Sequence, residues 1–527
     1  MKPFIAFVCL FVASFVAAQK PYFQQHVRYN IDVTLNEQQK TIKGFETLVY
    51  TNNSAETLDY IWFHIWPNAY SNEQTAFFEQ LNNDTERKKK IKNYKGGSIT
   101  DLSFTANGKA CVIENHPKAN YVDIIKVVLP TALKPGDSVT IATPFTVTLP
   151  SYFSRSGYAD DEFMICQWYP KPAVFDNNGW HEMPYLDMGE FYSEFGNFVV
   201  NITVPSNFVV AATGVLQDKN ELAAYKNIGL QNATNRAEKP ILYKPLSPEN
   251  ATKTLQYKAD SVLDFAWFAE KNLVIQYDTI QLESGRIVDA FTYYHNYKNT
   301  LWKNSIDYVK DATKAYSSYL GEYQYPVVQA IEGPKNNSSG GMEYPMITLI
   351  TSPDAKIETL DGVIAHEVGH NWLMGFLASN ERENGWMDEG INTYFQFRYE
   401  AAKYRHNSVL GSSMPEYLKK FDEKEYLDIV YKALIKIPAP FPIATSSEVF
   451  KTSDDYGITI YLKTAIWLYI AELTVGKEAL DKAFKDYFNE WKFKHPQPSD
   501  LKKSFEKSTG KNLDELFSLL NKKGNFE

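Results

Sequence analysis

The sequence predicts an α+β protein of more than one domain, with an N-terminal antiparallel β-sheet domain followed by a mostly helical one. Three observations predict it. The chain has 527 residues, more than one ordinary core of about 150 residues takes up. From residue 20 to 270, β-branched and aromatic residues recur in short runs between polar turns. After residue 300 the apolar spacing changes to three and four, the period of a helix that buries one face.

The elements follow in chain order. "MKPFIAFVCLFVASFVAAQK" carries one lysine, an apolar run and then Val16-Ala17-Ala18, so residues 1–18 read as a secretory signal peptide and the protein as exported. That run is short for a bilayer span, and no transmembrane segment is expected in the mature chain. A β domain is expected over residues 19–270. In "HVRYNIDVTLNEQQKTIKGFETLVYTNN", the alternation of Val33 and Leu35, then Phe45, Leu48 and Tyr50, predicts a hairpin with one wet face. The cationic run "ERKKKIKNYK" at 86–95 reads as a solvated loop.

Residues 271–527 make the second domain. Helices are expected in "NTLWKNSIDYVKDATKAYSSYLG", over 357–376 and over 387–405. "GKEALDKAFKDYFNEWKF", "HPQPSDLKKSFEKSTG" with Ser499 as N-cap, and "NLDELFSLLNKKG" complete the chain. A net charge of -9 without a basic face excludes nucleic acid as an expected partner. Cys9 leaves with the leader, and for Cys111 and Cys166 two readings stay open, one disulfide or two buried thiols.

The chemistry centres on "GVIAHEVGHNWLMG". Residues four apart stack on one helix face, so His366 and His370 present two imidazoles to one point, as two corners of a tetrahedral metal site. Glu367 is turned by about 100° from His366, beside such a metal, where a general base belongs. Two packed core histidines are the bland alternative, and a third ligand decides against it. Glu389, nineteen residues beyond His370, opens the next helix, and a helical hairpin brings it against the first.

"HEVGH", eighteen intervening residues and the glutamate of "WMDEG" together resemble the gluzincin pattern of the M1 zinc metallopeptidases, the aminopeptidase N and leukotriene A4 hydrolase group. Those enzymes have Trp-Leu-Asn-Glu-Gly at this place. The resemblance implies a saddle-like β domain before a thermolysin-like catalytic domain, one zinc per chain on His366, His370 and Glu389, Glu367 as general base, and peptide substrates. "SSGGMEYP" at 338–345 resembles the family's Gly-X-Met-Glu-Asn edge strand. It implies that Glu343, with Gly341 and Met342, binds the substrate's N-terminus. Tyr344 departs from the usual asparagine.

"YLK" at 461–463 resembles the start of the family helix that carries an oxyanion-binding tyrosine, which assigns that role to Tyr461 and makes Tyr456 the second candidate. "VLDFAWFAEKN" resembles the close of the β domain. Where the family has an "ARxxFPCxDEP"-like segment this chain has "CQWYPKPAVFDNNGWHEMPY", and Gln167 is its candidate for the first subsite. The sequence stops soon after the catalytic region, as in a short form without the C-terminal helical domain.

The expected activity is that of an exported zinc aminopeptidase. Two rivals differ in testable ways. An endopeptidase or oligopeptidase would share the zinc core and ignore the substrate's amine. A binding module with a dead peptidase fold, or a structural zinc protein, would have no need of Glu367 and Tyr461, and structural zinc sites complete four ligands, commonly with cysteine. Oligomeric state and side-chain preference are not written in these motifs.

Overall fold

The computed structural model describes residues 21–91, 94–236, 239–246, 248, 251–334, 340–351, 356–407 and 416–526. The expected leader at 1–18 lies outside the described residues. A nine-stranded sheet forms the N-terminal half. Its centre is the expected hairpin, His26–Asn36 and Thr41–Thr51, paired from His26 opposite Thr51 to Asn36 opposite Thr41. Val27, Tyr29, Ile31, Val33 and Leu35 all point inward, as period-two spacing requires.

Two expectations for this sheet are corrected. Phe45 faces solvent at 48% exposure, because the register sets it opposite Asp32 and turns Gly44 and Glu46 inward. A side chain at Gly44 would overlap the Phe145 ring, which fills the space from the neighbouring strand Ser138–Thr148. The sheet is also mixed rather than purely antiparallel, since His26–Asn36 runs parallel to Gly196–Pro205.

Two four-stranded sheets flank it, one containing Leu58–His64, the other pairing Glu162–Ile165 with Trp267–Glu270. The β region holds one long helix that strand-like composition hid, Lys219–Asn235, capped by Asp218. Few of its residues are apolar and buried, Tyr225 foremost, so its helical period is faint in the sequence. The run at 86–95 begins in a short helix, Thr85–Lys90, rather than a loop, with Asp84 capping it and Arg87 paired to Asp187 at 2.5 Å.

The second half contains the expected helices Ser305–Tyr319, Ile357–Leu373, Glu389–Tyr404, Lys477–Trp491 and Pro498–Thr509. It also contains a five-stranded sheet that alternation did not announce, ordered Val274–Gln281, Ile287–Tyr294, Val327–Glu332, Ile347–Ile350, Gly341–Met342. Its strands Val327–Glu332 and Ile347–Ile350 are buried on both faces and show no alternation of apolar and polar residues. Ser499 is not the cap of its helix: Pro498 takes the first helical position, where its missing N–H costs nothing, and Gln497 caps. Cys111 and Cys166 are both free thiols.

The stretch Ser453–Val475 is long and apolar enough to cross a bilayer, a length that the sequence reading missed. Half of its apolar window is buried, and its first turns carry Tyr456 and Tyr461 to the cleft.

Candidate metal centre

Helix Ile357–Leu373 crosses helix Glu389–Tyr404, and Gly369 permits the approach. A Cβ there would overlap both Asn392 Oδ1 and the Tyr316 ring. Asn392 uses that closeness to donate from Nδ2 to the His366 carbonyl at 2.8 Å, which ties the second helix to the first beside the motif.

The three expected ligand atoms come together. His366 Nε2 and His370 Nε2 are 3.1 Å apart, and each lies 3.2 Å from Glu389 Oε2. Tetrahedral zinc with ligands near 2.05 Å would need edges of about 3.3 Å, so the residues present fit the ion. The remaining ring nitrogens are held from behind: His366 Nδ1 meets Gln396 Oε1 at 2.9 Å, and His370 Nδ1 meets Asp388 Oδ1 at 2.7 Å. Such partners fix ring orientation and raise ligand basicity. Burial opposes ionisation of Glu389, yet the two imidazoles hold its carboxylate well below the usual range.

Glu367 faces the same space with Oε2 buried and without a hydrogen-bond partner among the described residues. Burial pushes its carboxyl up to about 7, against the pull of both histidines. Its position depends on Gly341, since a Cβ on that residue would sit 2.5 Å from Glu367 Oε1. Gly341–Met342 is the last strand in the order of the five-stranded sheet, and it pairs with Ile350 and Leu349. A loop return fixes it: Asn371 Oδ1, next to the second histidine, accepts the Met346 N–H at 3.0 Å.

Glu343 follows that strand, 5% exposed, with a carboxylate oxygen within 4.8 Å of Glu367 and of the His370 ring. Burial first, and then the nearby Glu190 carboxylate, raise its pKa well above the ordinary value. Tyr461 rises from a π-helical turn, Gly457–Lys463, and its hydroxyl donates to Glu389 Oε1. Such wide turns recur at functional sites because they redirect one side chain. Tyr456 also lines the cleft.

The cleft encloses about 450 Å³. Gln167 is not among its lining residues. Its amide donates to Asp264 Oδ2 at 3.3 Å and accepts from the Tyr344 hydroxyl at 3.1 Å, so it braces the residue behind strand Gly341–Met342. In its place the β domain supplies Arg155 and Glu190, a buried pair at 2.5 Å that sequence reasoning missed. Arg155 also rests its Nε on Met342 Sδ at 3.0 Å. No motif marks either residue, and only the folded chain pairs them in the cleft and brings Arg155 to Met342. Removing one member of such a buried pair costs roughly 3–5 kcal/mol.

The wall that carries Glu190 is pinned by distant side chains. Gln80 Oε1 accepts the N–H groups of Asp187 and Met188 at 2.9 and 2.8 Å. Asp123 accepts that of Tyr185 at 2.6 Å, and His64 Nε2 that of Met183 at 3.1 Å.

Comparison with known proteins agrees with this geometry. Residues 305–519 match the peptidase family M1 domain. Leucine aminopeptidase 2 of Sclerotinia sclerotiorum is 29% identical over 181 residues, 33% of this chain and 27% of that protein. A leukotriene A-4 hydrolase homolog of Botryotinia fuckeliana is 27% identical over 188 residues, 34% of this chain and 27% of that protein. The chain thus spans about a quarter of the length of these curated relatives. The M1 zinc metallopeptidase of Deinococcus radiodurans, in a variant bound to a Tyr-Ser-Ala substrate, superposes with a TM-score of 0.61 at 14% identity, over 95% of both chains. Aminopeptidase A of Legionella pneumophila, in complex with aspartic acid, gives 0.62 at 15%, over 95% of this chain and 50% of that one. Residues 305–519 thus carry the match to the peptidase family M1 domain, and the chain as a whole shares the fold of the two-domain M1 zinc metallopeptidases.

Proposed function

We propose that this protein is an exported zinc aminopeptidase that removes residues one at a time from the N-terminus of peptides. In this reading residues 1–18 direct export, residues 19–270 form the β domain, and residues 271–527 the peptidase domain. His366, His370 and Glu389 hold the zinc. When bound, zinc polarises the scissile carbonyl and acidifies the attacking water.

Every other step falls to the chain. Glu367 takes the proton from the attacking water and passes it to the leaving amine, a task suited to a carboxyl whose pKa burial has brought to about 7. The Tyr461 hydroxyl leaves Glu389 and donates to the oxyanion. The strand Gly341–Met342, last in the order of its sheet, lines the cleft and receives the substrate backbone as an added strand. Glu343 accepts the substrate's ammonium, aided by Glu190, whose Oε2 is buried without a partner among the described residues.

The observation that carries exo-action is Glu343: a buried carboxylate beside both Glu367 and His370 anchors an amine one residue from the bond to be cut. Hydrolysis of one peptide with a free and with an acetylated N-terminus tests it. The expected result is cleavage of the free form alone. Equal cleavage of both would make the protein an endopeptidase and remove this role for Glu343.

A further inference from the structure

A second group of metal-ligating side chains lies away from the cleft, where a four-stranded sheet of the β domain meets the five-stranded sheet. Strands Glu162–Ile165 and Trp267–Glu270 pair with Phe163 opposite Ala269, a register that sets Glu162 directly across from Glu270. Two like charges facing each other across a strand pair are destabilising unless something positive stands between them. Lys271, the cation next in sequence, is engaged elsewhere, with Glu37 at 2.7 Å and Asp161 at 3.5 Å. The group that does stand there is His295, just beyond strand Ile287–Tyr294 of the other sheet. Its Nε2 lies 3.0 Å from Glu270 Oε2 and 3.5 Å from Glu162 Oε1.

We infer that Glu162, Glu270 and His295 form a second divalent-cation site, of the zinc type, that clasps the β domain to the five-stranded sheet. The arrangement repeats that of the cleft. There the donor atoms are separated by 3.1 and 3.2 Å, and the second histidine's Nδ1 is held by Asp388. Here His295 Nδ1 is held by Glu332 at 3.3 Å, and Glu332 is itself fixed by the His295 N–H at 2.9 Å and the Tyr297 hydroxyl at 3.0 Å. The backing carboxylate turns Nε2 toward the two facing glutamates, as in carboxylate–histidine–metal triads.

The other Glu162 oxygen, Oε2, is buried with no hydrogen-bond partner among the described residues. Three carboxylates, Glu162, Glu270 and Glu332, surround this one imidazole. One imidazolium leaves three carboxylates short of neutrality, and a dication brings them closer to it. The mix of one imidazole with carboxylates suits zinc rather than calcium, which takes an oxygen shell. The four side chains keep 13–27% exposure, so an ion has a path in.

Zinc content after equilibration with zinc chloride and desalting tests the inference on the full chain. The wild type is expected to retain two zinc ions. The double variant His366→Ala, His370→Ala keeps one, and its melting temperature rises with added zinc. Adding Glu270→Gln to that variant, or His295→Gln should the first not fold, abolishes both the bound ion and the shift. A double variant that binds no zinc and melts at the same temperature with and without it would overturn the second site, leaving His295 as an ion-paired imidazolium. One ion in both the wild type and the double variant would uphold the second site and remove the first, so the two claims fail separately.

Discussion

The floor and the wall of the cleft are built in opposite ways. The floor draws His366, Glu367 and His370 from one helix and Glu389 from helix Glu389–Tyr404, so the ligand spacing is a property of helical period and of the connection through the short helix Glu381–Asn384. The wall draws the paired Arg155 and Glu190 from the β domain and places Arg155 against Met342, 187 residues away in sequence. Reaction chemistry is thus encoded locally, while the shape that receives the substrate depends on how the β domain packs. Side chains as remote as Gln80, Asp123 and His64 hold that wall.

This contrast is sharpened most by the floor. Glu367→Gln is expected to lower kcat by roughly 10²–10⁴-fold with zinc content unchanged, as loss of a general base does. Steady-state rates and metal analysis on the same sample check it, and full activity would break the proposed mechanism. Tyr461→Phe should cost roughly 10²–10³-fold in kcat with little change in KM, because its bond forms only with the oxyanion.

At the boundary of the two regions, Glu343→Gln should reduce kcat/KM for free-amine peptides by about 10–100-fold, the worth of a charge-assisted hydrogen bond. Cleavage of N-acetylated peptides should stay at its low level. A uniform loss on both would mean that Glu343 shapes the floor instead of reading the amine.

The wall has its own signature, in stability against pH. His64 is fully buried, and burial with the field of Lys171 lowers its pKa to about 3. Its folded pKa lies below its unfolded value near 6.5, so the unfolded state binds the extra proton between those values, and stability rises with pH across that window. The cost of His64→Gln should therefore grow by about 1.4 kcal/mol per pH unit from 3 to 6.5 and level off above. Urea unfolding of both proteins at several pH values reads it out. A cost independent of pH would place a charged imidazole in the wall.

The smallest effect is expected from Gln167→Ala. Its amide braces Tyr344 rather than lining the cleft, so kcat/KM should change by less than about two-fold if Tyr344 stays packed. A change confined to one class of N-terminal residue would return Gln167 to the first subsite.

The same local-against-distant contrast explains what could be read before folding. His366, Glu367, His370 and Glu389 were legible because two spacings, four and nineteen, carry the chemistry. Glu343 and Tyr461 needed a resemblance, since a glutamate after glycines and one tyrosine among 35 have no spacing of their own. Arg155 and Glu190 were not legible at all, because neither sits in a pattern and their meeting is tertiary. The fold divides likewise. The hairpin His26–Thr51 is written in alternation, whereas Phe45 misled because Gly44 and Glu46, not apolar residues, took the inward positions. The five-stranded sheet hid because strands covered on both faces lose their alternation.

The central claim is that His366, His370 and Glu389 hold a zinc on which peptide hydrolysis depends. Its most direct test follows aminoacyl-fluorophore hydrolysis before chelation, after chelation, and after adding back zinc, with His366→Ala in parallel. The account predicts loss on chelation, recovery with zinc in the native chain, and no recovery in the variant. Hydrolysis that survives chelation, or that returns in His366→Ala at the native rate, would contradict it.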